Sequence, residues 1–170
     1  MKRFLALGLL CLPATAFAEI TRYVLSDDGT GLRYETSDGR TVSVEPLVDQ
    51  VGFTQARLST DRKRLGWVAL FPNCCTSYPA PLKLVITSEN GSIVSFSGSQ
   101  AIFKWCFAKG SKAVVYRQEA LHGPAFATYT LGRLKDGKIQ KTFFKSPMEP
   151  SDTAPAAPPP PWTACASDQP

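Results

Sequence analysis

Leu65–Ile86 reads LGWVALFPNCCTSYPAPLKLVI, and the rest of the chain is understood outward from it. It holds two apolar, strand-like runs, Gly66–Phe71 and Leu82–Ile86. Between them lie Pro72, Pro79 and Pro81 and the adjacent pair Cys74–Cys75. No other loop in the chain combines such chemistry. The expectation is a fold stapled at this loop, with any binding surface built beside it.

On both sides the pattern is strand after strand. Ile20–Leu25, Leu32–Thr36 and Thr41–Val44 come first, separated by Asp27-Asp28-Gly29 and Asp38-Gly39. Phe53–Leu58, Leu65–Phe71, Leu82–Thr87 and Ile93–Phe96 follow, the last two joined by Asn90-Gly91. Ile102–Phe107, Ala113–Arg117, Phe126–Leu131 and Ile139–Phe144 complete the series, with Asp136-Gly137 before the last. Short β-branched and aromatic runs separated by Asp-Gly and Asn-Gly are hairpin signals. No window sustains a helical period with caps. The fold class is therefore all-β and antiparallel. Gly66–Phe71 is apolar on both faces, as a central strand is. Leu82, Leu84 and Ile86 share one face. Phe103, Trp105 and Phe107 are expected to share another, opposite Ile102, Lys104 and Cys106. Trp67 and Trp105 are assigned to the core.

The chain repeats itself weakly. QARLSTDRKRLGWVAL aligns with FKWCFAKGSKAVVYRQ at an offset of 48, matching Leu58 with Cys106, Leu65 with Ala113 and Trp67 with Val115. The next hairpins, Asn90-Gly91-Ser92-Ile93 and Asp136-Gly137-Lys138-Ile139, align at an offset of 46. Each unit has the strand count and roughly the length of one propeller blade, about 40–45 residues.

Over about residues 50–145 the units resemble the WD40-like repeats of periplasmic, TolB-type β-propellers. Those repeats set a small polar turn, often Ser-Pro-Asp-Gly, before a strand like Leu-Ala-Trp/Phe-Val. Here Ser59-Thr60-Asp61-Arg62 precedes Leu65-Gly66-Trp67-Val68, and Ala108-Lys109-Gly110-Ser111 precedes Ala113-Val114-Val115-Tyr116. Neither turn keeps Pro-Asp-Gly. There are about two and a half units, whereas a closed propeller takes about four to eight blades. The expectation is an incomplete propeller or sandwich-like stack of four-stranded units. The resemblance implies a protein-binding role.

Residues 1–18 have the form of a secretory signal. Lys2 and Arg3 precede the apolar run Phe4–Leu12, and Ala16-Phe17-Ala18 offers a cleavage site after Ala18. The run is shorter than the ~20 apolar residues of a membrane span. Localisation is thus expected to be periplasmic, with no membrane span in the mature chain. Loss of Lys2 and Arg3 leaves 17 of the 19 basic residues against 14 acids, lowering the net charge from +5 to +3. Arg62-Lys63-Arg64 reads as a solvated turn rather than a nucleic-acid patch. The all-β domain is 19–145, and residues 146–170 form an extended, polyproline-like tail carrying eight of the 14 prolines.

Cys11 leaves with the signal, and Cys74, Cys75, Cys106 and Cys165 remain. An even count in an exported chain indicates disulfides. Of three connectivities, a vicinal Cys74–Cys75 bridge ranks last. The favoured pattern sends one of the pair to Cys106 and the other to Cys165, tying the tail down. Trp162 then either plugs a groove or anchors a partner. Adjacent cysteines and a distant His122 do not match zinc-ligand spacing, so no metal is expected.

His122, in LHGPAF, is the only histidine. No serine sits in a G-x-S-x-G elbow, no carboxylate pair is singled out, and there is no phosphate or dinucleotide glycine loop. No catalytic residue and no cofactor is assigned. The expected function is an exported, non-catalytic module recognising a protein or peptide, such as an inhibitor or immunity protein. Its surface is assigned to Asn73, Thr76, Tyr78, His122, Phe126 and Trp162. Two alternatives stand beside it. One is a small hydrolase using His122 with Asp61 or Asp136. The other is a propeller subunit that self-associates through an exposed strand edge.

Overall fold

In a computed structural model, residues 18–98, 100–122, 126–145 and 158–167 are described. Residues 1–17, which hold all but the last residue of the expected signal, lie outside the described residues, as do residues 146–157 and 168–170 of the tail, Gly123 and Pro124.

Among the described residues, eleven strands form three antiparallel sheets, each a simple meander. Sheet 1 holds β1 (Ile20–Leu25), β2 (Leu32–Thr36) and β3 (Thr41–Ser43). Sheet 2 holds β4 (Gly52–Leu58), β5 (Arg64–Phe71), β6 (Ala80–Ser88) and β7 (Ile93–Ser97). Sheet 3 holds β8 (Ala101–Ala108), β9 (Ala113–Glu119), β10 (Ala127–Arg133) and β11 (Ile139–Lys145). The repeat reading corresponds to sheets 2 and 3, strand for strand. The three sheets are not closed into a barrel, in keeping with the all-β, antiparallel fold class expected.

Alternation along the central strands builds the stack. Leu65, Trp67 and Ala69 of β5 pack with Val85 against Ile20, Leu32 and Tyr34 of sheet 1. Val68 lies on the opposite face with Leu84, Ile86 and Phe96, against Ile102, Trp105, Val114 and Tyr116 of sheet 3. Ala113 and Val115 leave by the far face of sheet 3 and join Cys106, Ala127, Tyr129 and Leu131. Strands buried on both faces lose the apolar–polar alternation, which is why β5 reads as a continuous apolar run.

Two of the five register shifts in the sheets adjust this pattern where sheets 2 and 3 meet. The register of β8 shifts between Ile102 and Lys104, so Ile102 is fully buried with Trp105 while Phe103 is 40% exposed. This corrects the expected face sharing of Phe103 with Trp105: one extra residue flips the phase of a strand. A second bulge in β4 sets Gln55 at a φ of 52°. Its carbonyl accepts a bond from Trp105 Nε1 at 3.0 Å, and its own Nε2 donates to the Phe103 carbonyl at 3.1 Å. The two bulges thus clasp sheet 2 to sheet 3.

Five turns share one construction. Asp28, Asp38, Asp61 and Asn90 each accept a hydroxyl bond from the Ser or Thr two residues earlier, at 2.6, 2.5, 2.6 and 2.6 Å. Each also accepts the backbone N–H two residues later. Asp136 accepts the Lys138 N–H in the same way, with Arg133 in place of the hydroxyl. The next residue has positive φ in all five: Gly29, Gly39, Arg62, Gly91 and Gly137. Such side-chain turns mimic a backbone turn. The Ser26 hydroxyl, with the Thr30 bonds, holds the Asp28 carboxyl down at about 2, and Arg133 does the same for Asp136.

The tail returns as a short 3₁₀ helix, Pro161–Ala166, packed on the far face of sheet 3. Cys165 is bridged to Cys106 with Cα atoms 6.0 Å apart, and Lys104 Nζ donates to the Ser167 carbonyl. The favoured pairing is therefore corrected: Cys74 and Cys75 are free and exposed. The reason is facing. Cys106 points away from sheet 2, whereas the Cys74–Cys75 loop projects beyond the end of sheet 2. The expected stapling at the central loop is replaced by a staple that ties down the tail.

Two glycines distinguish collision from backbone strain. A Cβ on Gly66 would run into Trp105 and Ile86, whereas Gly91 has φ +79° and open space. Gly66→Ala should cost about 3 kcal/mol by overpacking, and Gly91→Ala about 1 kcal/mol by left-handed strain. Urea denaturation of the two oxidised variants checks the order. Removing the staple with Cys165→Ser opens a loop of 59 residues and should cost about 4 kcal/mol. Its effect is read from the same titration, with Trp162 fluorescence reporting release of the helix.

Candidate functional site

A meander places alternate connections at opposite ends. One end of sheets 2 and 3 carries the β4–β5, β6–β7, β8–β9 and β10–β11 turns. The other carries the longer β5–β6 and β9–β10 connections, residues 72–79 and 120–126. These two connections meet: Tyr78 Oη and His122 Nε2 are 3.2 Å apart, and their rings are edge-on at 6.3 Å. The contact joins residues 44 apart in sequence and bridges the two sheets.

The β5–β6 connection is held from within. Asn73 Nδ2 donates to Thr76 Oγ1 at 2.9 Å, Asn73 Oδ1 accepts the Cys75 N–H at 3.2 Å, and Thr76 Oγ1 donates to the Tyr78 carbonyl at 2.7 Å. Asn73 and Thr76 thus position the loop, and Tyr78 is the member of the set displayed to solvent, 47% exposed. The two free thiols lie between these anchors. A hydrogen bond with Cys74 raises the Cys75 pKa, favouring its protonated thiol.

Of the six residues assigned to a binding surface, the structure joins Asn73, Thr76, Tyr78 and His122. Phe126 is 53% exposed just before β10, at the same end. Trp162 stands apart: it is half-buried against the cluster of Cys106, Ala127, Tyr129 and Leu131. It plugs that groove. Exposed apolar side chains that the sequence did not single out gather at the same end as Tyr78: Val48 and Val51 before β4, and Phe144 at the end of β11. Their signal was present as apolar residues in loops or at strand ends, but their common end follows only from topology.

The pairing of His122 with Asp61 or Asp136 is corrected. Both aspartates lie in turns at the opposite end, with Asp61 bonded to Arg64 at 2.9 Å and Asp136 to Arg133. Among the described residues, no group of three or more His, Cys, Asp or Glu is arranged to hold a metal ion, and no helix is long and apolar enough to cross a membrane. No protein-family model and no curated protein matches the chain.

The disulfide assignment has a direct check. Peptide mapping of unreduced protein should give one cross-linked pair, Cys106 with Cys165, while Cys74 and Cys75 take up an alkylating reagent. A peptide joining Cys74 or Cys75 to Cys106 or Cys165 would restore the pattern favoured from sequence.

Proposed function

We propose that the chain is an exported, periplasmic, non-catalytic module that binds a protein or peptide through its loop end. The observation that carries this is the Tyr78–His122 contact. It joins connections from two sheets, with Tyr78 and Phe126 exposed at the same end as Val48, Val51 and Phe144. Aromatic side chains with a polar tip supply contact area at low entropic cost, and they dominate binding energy at protein interfaces. Loops carried on a stiff β scaffold are a common place for recognition. An inhibitor or immunity role fits a small surface of this kind, and such a partner would be an exported enzyme or toxin.

The recurring Ser/Thr-x-Asp/Asn turn followed by a positive-φ residue supports the likeness to WD40-like blades. It resembles the Ser-Pro-Asp-Gly turn of those repeats in its residue types. Propeller closure with further copies draws no support from the outer faces of the stack. The far face of sheet 1 carries the Arg22–Glu35 ion pair, and that of sheet 3 is covered by the tail. A hydrolase reading keeps an accessible His122, bonded to Tyr78, without either proposed aspartate.

The test is affinity capture from periplasmic and envelope extract with oxidised wild type, Tyr78→Ala and Phe126→Ser. A stoichiometric protein partner should be retained by the wild type and bound about tenfold more weakly by Tyr78→Ala. A partner held equally by all three would move recognition off this end. Hydrolytic activity lost in His122→Ala would replace the binding reading with the enzyme one.

A further inference from the structure

The opposite end of the molecule has a different chemistry. Between the β8–β9 and β10–β11 turns of sheet 3 and the start of β5 in sheet 2 lies a cavity of about 390 Å³. Five cations line it: Arg64, Lys109, Lys112, Arg133 and Lys135. Gln140, Ala113 and Leu134 complete the wall, and no carboxylate belongs to it.

Three of the five are fixed in place. Arg64 Nη1 donates to Asp61 at 2.9 Å, and Arg133 donates through Nε and Nη2 to both oxygens of Asp136 at 2.8 and 2.5 Å. Lys109 Nζ donates to Gln140 Oε1 at 2.9 Å. Lys112 and Lys135 have no ion-pair partner among the described residues. Setting two carboxylates against five cations leaves a local charge of +3, concentrated where two sheets converge. Like charges gathered without compensation repel one another, and a cavity walled by protein focuses their field. A multiply charged anion relieves both. The adjoining cavity, lined by Lys63, Arg64, Ser88, Glu89, Asn90, Ser92 and Lys135, contains the Glu89 carboxylate. One Glu89 oxygen is buried without a hydrogen-bond partner. That carboxylate distinguishes the adjoining cavity from the first, whose lining holds none.

We propose that this cleft is a binding site for a phosphate-bearing ligand, with Lys112 and Lys135 meeting the phosphate oxygens and Arg64 and Arg133 framing it. Arginine forks and lysine point charges are the usual protein partners of phosphate. The volume lies within the range of small-ligand sites, about 300–1,000 Å³, enough for a phosphate group with a small organic body. Ala113 and Leu134 offer that body an apolar wall. The phosphate could belong to a soluble phosphoester or diphosphate, or to a lipid headgroup at a membrane surface.

Calorimetry of the full oxidised chain with pyrophosphate, and co-sedimentation with vesicles containing a phosphomonoester lipid or only zwitterionic lipid, distinguish the sources. The variants are Lys112→Glu with Lys135→Glu, the milder Lys112→Gln, and Lys145→Glu at the far end as a control for net charge. Saturable 1:1 binding of pyrophosphate is expected, weakened about tenfold or more by the double variant and severalfold by Lys112→Gln, with Lys145→Glu changing it less than about twofold. The same ranking on phosphomonoester vesicles, without pyrophosphate binding, assigns the site to a headgroup. Absence of binding to both probes at millimolar concentration overturns the site. An equal loss in Lys145→Glu does so too, because it reduces the effect to overall charge.

Discussion

The stack depends on two rings seated against two glycines. Trp105 of sheet 3 lies where the side chain of Gly66 in sheet 2 would be, and Phe96 of sheet 2 lies where that of Gly132 in sheet 3 would be. Each sheet therefore gives a ring and receives one. Sheets of ordinary composition pack about 10 Å apart because side chains fill both facing surfaces. A ring against bare backbone fixes the lateral position of one sheet over the other as well as the spacing. Trp105 needs a partner for its indole N–H once buried, and the β4 bulge supplies one by presenting the Gln55 carbonyl. The bulge is a local irregularity that satisfies a polar group created by the packing.

That fixed register separates the two ends of the molecule. In a meander, tight turns and longer connections fall on opposite sides, and here sequence divides with them. The β4–β5 and β10–β11 turns carry arginine and lysine beside the aspartates that build them, and the β8–β9 turn adds Lys109 and Lys112. The longer connections carry tyrosine, phenylalanine and valine. The proposed protein surface and the proposed phosphate cleft therefore sit a strand length apart on one stack of sheets. A strand of seven residues spans roughly 23 Å, so the two ligands would not compete for space. Screening at physiological salt, over about 8 Å, also limits electrostatic crosstalk between them.

Much of this was legible in the chain. Strand positions followed from β-branched runs broken by Asp-Gly and Asn-Gly, and observed boundaries fall within two residues of those expected. The division of residues 52–145 into two four-stranded sheets followed from the weak repeat. Phe103 was misplaced because a bulge is an insertion of one residue with no composition of its own. The disulfide was misassigned because spacing along the chain says nothing about which face of β8 Cys106 occupies. At the site, Tyr78 and His122 were each singled out, but their contact comes from stacking two sheets. The cationic cleft was missed because its members are scattered over Arg64, Lys109–Lys112 and Arg133–Lys135. The repeat held a clue: the offset that matches Leu65 with Ala113 also matches Arg64 with Lys112, two cations of the same cavity.

The repeat also explains why the tail is tied down. Leu65 and Trp67 of sheet 2 are covered by sheet 1. Their counterparts Ala113 and Val115 in sheet 3 face outward, where a further sheet would lie in a longer array. A terminal unit must hide that face or expose it to association. Here the 3₁₀ helix fills the position with Trp162 and Ala166. A six-residue helix cannot hold itself on a sheet by its own propensity. The Cys106–Cys165 bridge lowers the entropic cost of docking it, and Lys104 secures its end through the Ser167 carbonyl. At the other extremity the problem is met differently: sheet 1 turns Arg22, Arg33 and Glu35 outward and needs no cover. The two cysteines that remain free are those not needed for closing the stack.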